Sequence, residues 1–229
     1  MKTTLKQKVL VEMRKPEVYT REVINYVERR LPYVFGVACE KNWSINEWQP
    51  DLTFGDQKGQ KTVLITVRMF DLWESAVIDI LNQHLKKLNV IVEPSHDAIG
   101  DLNIIFPDKT KMKWEIKTSQ ADDSFTGATH SASKCNNYIL INYAINRNLK
   151  LNFKENKKFI TELAVFVWDD MEAIWSGKPT EHSSFTTLKI PIDIAKKRKG
   201  ITVIGKLEYK KKWCRIIRKK RNITQSLSL

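Results

Sequence analysis

The chain has 229 residues, 42% of them apolar and 28% charged, with seven tryptophans and a formal net charge of +13. These proportions fit an ordinary globular protein with a substantial core and exclude a disordered chain. No run nears the ~20 apolar residues of a membrane span, and no signal-peptide pattern opens the sequence. Cys39, Cys135 and Cys214 are odd in number and widely spaced, which excludes a disulfide framework and a zinc signature. The expected setting is cytoplasmic, without a membrane partner.

In chain order, residues 17–35 predict an amphipathic helix, with Val23, Val27 and Leu31 a turn apart and Pro32 disturbing its end. Asn42 to Gly59, rich in Trp, Pro and Gly, reads as loop. Thr62 to Val67 is β-branched and reads either as a strand or as an extension of the next helix. That helix is expected over Asp71–Asn89, with Asn89 and the following Val-Ile-Val making an exit into a short strand. Two strands joined by the turn Pro107-Asp108-Lys109-Thr110 come next, the first opened by Asp101 and the second carrying Glu115 and Lys117. A polar or short helical segment, Ser119–Asn137, leads to strands over Tyr138–Ile145, Leu163–Trp168 and Ile201–Tyr209. The fold class expected is α/β, with a central mixed sheet flanked by helices. One domain spans residues 1–229, with its core at about 71–145 and a basic segment at about 195–229.

The charge is segregated. Residues 195–229 carry thirteen basic side chains and one acid, Glu208, so +12 of the net +13 lies there. Interleaved apolar residues such as Ile204, Trp213, Ile216 and Ile217 point to structure with a basic face suited to a polyanion, rather than a merely solubilising tail.

Four triplets of an acid, any residue and lysine occur: Asp56–Lys58, Glu115–Lys117, Glu155–Lys157 and Glu208–Lys210. The first lies among glycines and the third in a polar Lys/Asn-rich stretch, so neither sits on a rigid strand. The fourth is strand-like, but the Ile-Ala-Lys-Lys-Arg-Lys-Gly run after Asp193 cannot present that acid beside it. Only Glu115-Ile116-Lys117 has an acid, Asp101, at the mouth of a partner strand. Residues two apart on a strand share a face, so Glu115 and Lys117 stand side by side, and a hairpin brings Asp101 near them. Two carboxylates can hold a divalent cation, and a neighbouring ammonium can orient a water, as phosphodiester hydrolysis requires. An exposed hairpin with ordinary surface charges is the other reading.

On the preceding helix, Trp73, Val77, Ile78, Ile80, Leu81, Leu85 and Leu88 form one apolar arc at 3.6 residues per turn. Glu74 falls inside it. A carboxylate facing the core needs a partner or a cation. Alternatively Asp71 caps the helix and Glu74 reaches back to the cap amide. A helix starting before Asp71 would remove that second explanation.

With these residues in place, the chain resembles the PD-(D/E)XK nuclease superfamily and, within it, type II restriction endonucleases. The likeness rests on Gly100-Asp101 and Glu115-Ile116-Lys117 and covers roughly residues 71–145. The usual proline before the first acid is replaced by Gly100. The resemblance implies a restriction-endonuclease-like core in which Asp101 and Glu115 ligate one or two Mg²⁺ ions, with the carbonyl of Ile116 as a further ligand. It gives Lys117 the task of orienting the nucleophile and places Glu74 as an additional or outer ligand. It also implies double-stranded DNA as substrate, a specific and palindromic site, and a homodimer. DNA contacts are expected from Gln120, Thr126, Thr129, His130, Ser131 and Lys134 beside the catalytic strand, and from Arg215, Arg218 and Lys219 in the basic segment. A structure-selective repair or recombination nuclease and a catalytically silent nucleic-acid-binding protein are the competing readings.

Overall fold

The structure is a computed structural model that describes residues 3–15, 21–50, 57–96, 100–120, 124–128, 135, 137–152, 159–169, 187–191, 202–204 and 215–217. Helices α1 (Leu5–Met13), α2 (Arg21–Val34), α3 (Gly36–Glu40) and α4 (Gln57–Leu85) precede the first strand. The strands are β1 (Ile91–Pro94), β2 (Leu102–Ile105), β3 (Lys111–Ser119), β4 (Ser124–Ala128), β5 (Tyr138–Ile145), β6 (Ile160–Trp168), β7 (Thr187–Pro191), β8 (Thr202–Ile204) and β9 (Arg215–Ile217). Seven of them form one sheet in the order β1-β2-β3-β5-β6-β8, with β9 also on β6. Every pairing is antiparallel except that of β3 with β5. The fold is therefore α/β with a mixed sheet and helices, the class expected from the sequence.

Helix α2 begins at Arg21, and Val23, Val27 and Leu31 are buried at the predicted spacing. Pro32 lies in its last turn. Helix α4 differs more from expectation. Thr62–Val67 is helix, not strand, because burial there follows a helical period: Ile65, Met69, Leu72, Trp73 and Ala76 all face the core. The Thr66 hydroxyl donates to the Thr62 carbonyl at 2.9 Å, the i−4 back-bond that threonine makes inside a helix. After a turn of 3-10 helix, Asn89 adopts the left-handed conformation (φ 55°) and ends the run, and Val92 takes its place in β1 by donating its amide to Asn82 Oδ1 at 3.2 Å.

The main core lies on the face of β3 that carries Met112, Trp114 and Ile116, covered by α1, α2 and α4. Helix α1 was not read from the sequence, although its Thr4–Gln7 capping box is a legible start signal. Between β3 and β5 the expected polar loop or short helix is, where described, strand β4, paired with β7 in a separate two-stranded ribbon. Of the expected strand Ile201–Tyr209, Thr202–Ile204 pairs with β6, and residues 205–210 lie outside the described residues. The sheet thus continues past residue 145, through β6, β8 and β9. Among the described residues no helix is long and apolar enough to cross a membrane.

Glu28 ties the helical layer to the sheet: its Oε1 accepts from the amides of Phe159 at 3.1 Å and Ile160 at 3.0 Å, both fully buried residues. Glu28→Ala removes an acceptor from the Phe159 and Ile160 amides and is expected to cost ~1–3 kcal/mol. A urea unfolding midpoint that does not move would show that the brace carries no stability.

Candidate functional site

Strand β3 exchanges neighbours halfway along its length. Strand β2 pairs with Lys111 to Trp114, and β5 pairs with Glu115 to Ser119. Beyond Trp114, therefore, the β3 edge that faced β2 has lost its strand partner. The Glu115 amide donates to the Asn137 carbonyl at 2.9 Å on the β5 side, so by strand alternation the amide and carbonyl of Ile116 face the gap. Asp101 fills it: its Oδ2 accepts the Ile116 amide at 2.6 Å, while its own amide donates to the Trp114 carbonyl at 2.8 Å.

Gly100 makes this possible. Its φ is +77°, and a Cβ there would stand 2.9 Å from the Trp114 carbonyl oxygen. Proline, fixed near φ −65°, could not adopt that turn. A glycine at this position is thus required by the backbone.

Glu115 and Lys117 share the β3 face opposite the core, as their spacing predicts. The Lys117 ammonium pairs with Glu115 Oε1 and lies 4.0 Å from Asp101 Oδ2. The Glu115 side chain is 3% exposed and that of Asp101 23%, so Asp101 forms the open wall of the group. Burial pushes the Asp101 carboxyl up to about 6, helped by the charge of Glu115 and opposed by Lys117 and the Ile116 amide. Glu74 is half-buried on α4. Burial first, then the charges of Asp101, Asp71 and Glu115, push it up to about 7 against the pull of Lys117. Helix α4 starts at Gln57, so Asp71 is not its cap and the capping account of Glu74 is excluded.

Two carboxylates and one ammonium are thereby collected where two strands part, and Glu74 on α4 feels their charges. Among the described residues no group of three or more His, Cys, Asp or Glu side chains forms a ready-made metal cage. The donor set present is of another kind: Asp101, Glu115 and the outward carbonyl of Ile116, all oxygen, at a site with excess negative charge. That suits Mg²⁺, which binds through one or two carboxylates and keeps several waters.

The remaining expected residues divide. Gln120 directly follows β3 with both sides of its amide engaged: it donates to the Tyr143 hydroxyl at 3.2 Å and accepts from Arg147 at 3.3 Å. Thr126 lies in β4 and Arg215 in β9. Thr129, His130, Ser131, Lys134, Arg218 and Lys219 lie outside the described residues. Asn137, the last residue of the expected polar segment, donates from Nδ2 to the Lys113 carbonyl at 2.9 Å and closes the start of β5 against β3. The sequence reading missed this role because an asparagine before a strand carries no signal of which edge it caps. Comparison with protein-family models and with curated proteins gives no match.

Two outcomes follow. Gly100→Ala places a Cβ against a carbonyl at positive φ and should cost ~1–3 kcal/mol; an unchanged unfolding midpoint in urea would contradict the turn described. For a carboxyl whose folded-state pKa is raised, the folded state keeps a proton that the unfolded chain has lost, so stability falls as pH rises through the interval. For Glu74 that interval runs from 4.5 to about 7, and for Asp101 from 3.8 to about 6. In EDTA, the melting temperature should drop between about pH 4 and about pH 7, and Glu74→Gln should reduce the drop. Parallel profiles for both proteins would mean that Glu74 is not strained by its neighbours.

Proposed function

We propose that the protein is a Mg²⁺-dependent endonuclease that hydrolyses phosphodiester bonds in double-stranded DNA, of the type II restriction class, acting as a homodimer on a palindromic site in the cytoplasm. The observation that carries the reading is the meeting of Asp101, Glu115 and Lys117 where β2 leaves β3. The mixed sheet, the parallel β3–β5 pair and an acid on the preceding helix support the resemblance to the PD-(D/E)XK nucleases, as does the oxygen donor set.

Asp101 and Glu115, with the Ile116 carbonyl, would hold the cation. When bound, Mg²⁺ supplies Lewis acidity and a water acidic enough to ionise near neutral pH. The protein's own groups do the positioning. Lys117 is held by Glu115 and points toward Asp101, where its ammonium can donate to the attacking water and offset charge developing on the phosphate. The Ile116 amide fixes Asp101. Glu74 reaches the group from α4, and its raised pKa lets it hold or release a proton near neutrality. The basic segment after residue 195, with Arg215, Arg218 and Lys219, would grip the phosphate backbone, so affinity falls as salt rises. The segment from Gln120 to Lys134 would contact bases.

Digestion of genome-sized duplex DNA with Mg²⁺ and with EDTA tests this. Discrete fragments are expected only with Mg²⁺. Asp101→Ala, Glu115→Ala and Lys117→Ala should each lower the cleavage rate by at least ~10²-fold while DNA binding on a gel persists. Cleavage by any of them at near wild-type rate would place the chemistry elsewhere, and binding without cleavage by the wild-type protein would favour the silent binder.

A further inference from the structure

Two residues beyond Asp101 stands a polar side chain that the catalytic group leaves unused. Asn103 of β2 is 3% exposed, and its Oδ1 has no hydrogen-bond partner. Leu102 and Ile104, on either side of it, are fully buried in the main core. Asn103 therefore projects from the opposite face of the sheet, the face that carries Glu115 and Lys117. Its register partners are Glu93 of β1 and Lys113 of β3. Lys113 precedes Glu115 by two residues, so Asn103 and Glu115 are diagonal neighbours about 7–8 Å apart. Asp101 is as near along β2, at about 3.3 Å of rise per residue.

A buried amide oxygen without a partner is costly, and strands disfavour asparagine. The neighbours do not relieve it. The Glu93 carboxylate offers only acceptors and lies 3.8 Å from the Lys111 ammonium, and Lys113 makes no bond to Oδ1. Among the described residues one other buried side-chain oxygen lacks a hydrogen bond, Glu12 Oε2, and it has the Lys87 ammonium at 2.7 Å. Asn103 Oδ1 has no such ion to face. In the catalytic group the one ammonium is taken, since Lys117 pairs with Glu115 and lies 4.0 Å from Asp101. A donor for Oδ1 must therefore arrive with a ligand. The phosphate of a substrate brings acceptors only. A hydrated divalent cation brings water hydrogens, and Mg²⁺ in particular keeps several of its waters. We infer that Asn103 is a positioning residue for the cation, its Oδ1 accepting a hydrogen bond from a water that Mg²⁺ keeps when Asp101 and Glu115 hold it. The inference rests on the metal-dependent nuclease reading. It extends that reading to a residue that secures the ion through its water, the part an outer-shell partner plays.

The test is Mn²⁺ binding to the full chain without DNA, read from the loss of the free ion's electron paramagnetic resonance signal, with Mg²⁺ as competitor. Asn103→Leu removes the acceptor in a side chain of similar shape. It should weaken the binding of both ions about tenfold, while the melting temperature in EDTA holds or rises because no polar group is left orphaned. Asn103→Asp keeps an oxygen at the same place and should bind at least as tightly as the wild type. Its melting temperature in EDTA should fall, since a further carboxylate joins the buried group. A role confined to packing would move the melting temperatures and leave the affinities alone. Wild-type affinity in Asn103→Leu, or weakened affinity in Asn103→Asp, overturns the inference, as does a wild-type protein that binds no Mn²⁺. If Asn103→Leu does not fold, the affinity of Asn103→Asp decides alone. DNA cleavage is scored separately. Metal-dependent cutting with unchanged affinity in Asn103→Leu refutes only the role of Asn103, whereas cation binding that depends on Asn103 without cutting of any DNA refutes the nuclease reading.

Discussion

The structure depends on how one strand shares its hydrogen bonds. Strand β3 is nine residues long, and neither neighbour spans it: β2 serves the first part, β5 the second, and the exchange falls between Trp114 and Glu115. A strand paired along its whole length on both sides has no free backbone groups to offer. Here the unpaired stretches are local, and each is closed by a side chain. Asp101 takes the Ile116 amide on one side, and Asn137 takes the Lys113 carbonyl on the other. Buried backbone groups demand partners. The two residues that answer this demand therefore stand at the two openings beside the polar face of β3.

The electrostatics follow from the same arrangement. Glu115 sits on the face of β3 away from the main core yet is almost fully buried, with Lys117 as its ion-pair partner. Asp101 stands farther from the ammonium, at 4.0 Å, and burial lifts both it and Glu74 above the ordinary carboxylate range. A single lysine against three acids leaves the group short of positive charge. The fold tolerates this because α4 and the β2–β3 hairpin hold the groups by helix and strand geometry, not by the strength of their own pairing. Such a shortage is weak support for stability, but it is the condition in which an added cation has most to gain.

Much of this was legible in the sequence where local period and local chemistry agreed. The apolar arc from Trp73 to Leu85 is buried as its spacing predicts, and Glu74 stands out because an acid interrupts that arc. The hairpin was marked by its turn, and the face shared by Glu115 and Lys117 by the period of two. Thr62–Val67 was ambiguous because side-chain branching and packing pull in opposite directions, and the packing of Ile65 and Met69 decided it. The β4–β7 ribbon was beyond reach. Its partners, such as Phe125 and Ile190, lie far apart in sequence, and the short alternation of Leu188 and Ile190 does not say which distant segment it pairs with. The role of Gly100 was also hidden, since a glycine announces freedom at a position without saying which contact requires it.

That glycine bears on how chains of this geometry can be found. A sequence pattern that demands proline before the first acid selects for a strand entered from an extended backbone. It passes over any chain in which the strand is entered through a left-handed turn, however faithfully the charged residues are kept. Here the turn lets Asp101 donate its amide to Trp114 and still offer its carboxylate to Ile116. A pattern defined by that pair of hydrogen bonds, and by the two residues from which they come, would admit both entrances. The constraint that persists is the gap to be closed, and the residue that precedes the acid records only the direction of approach.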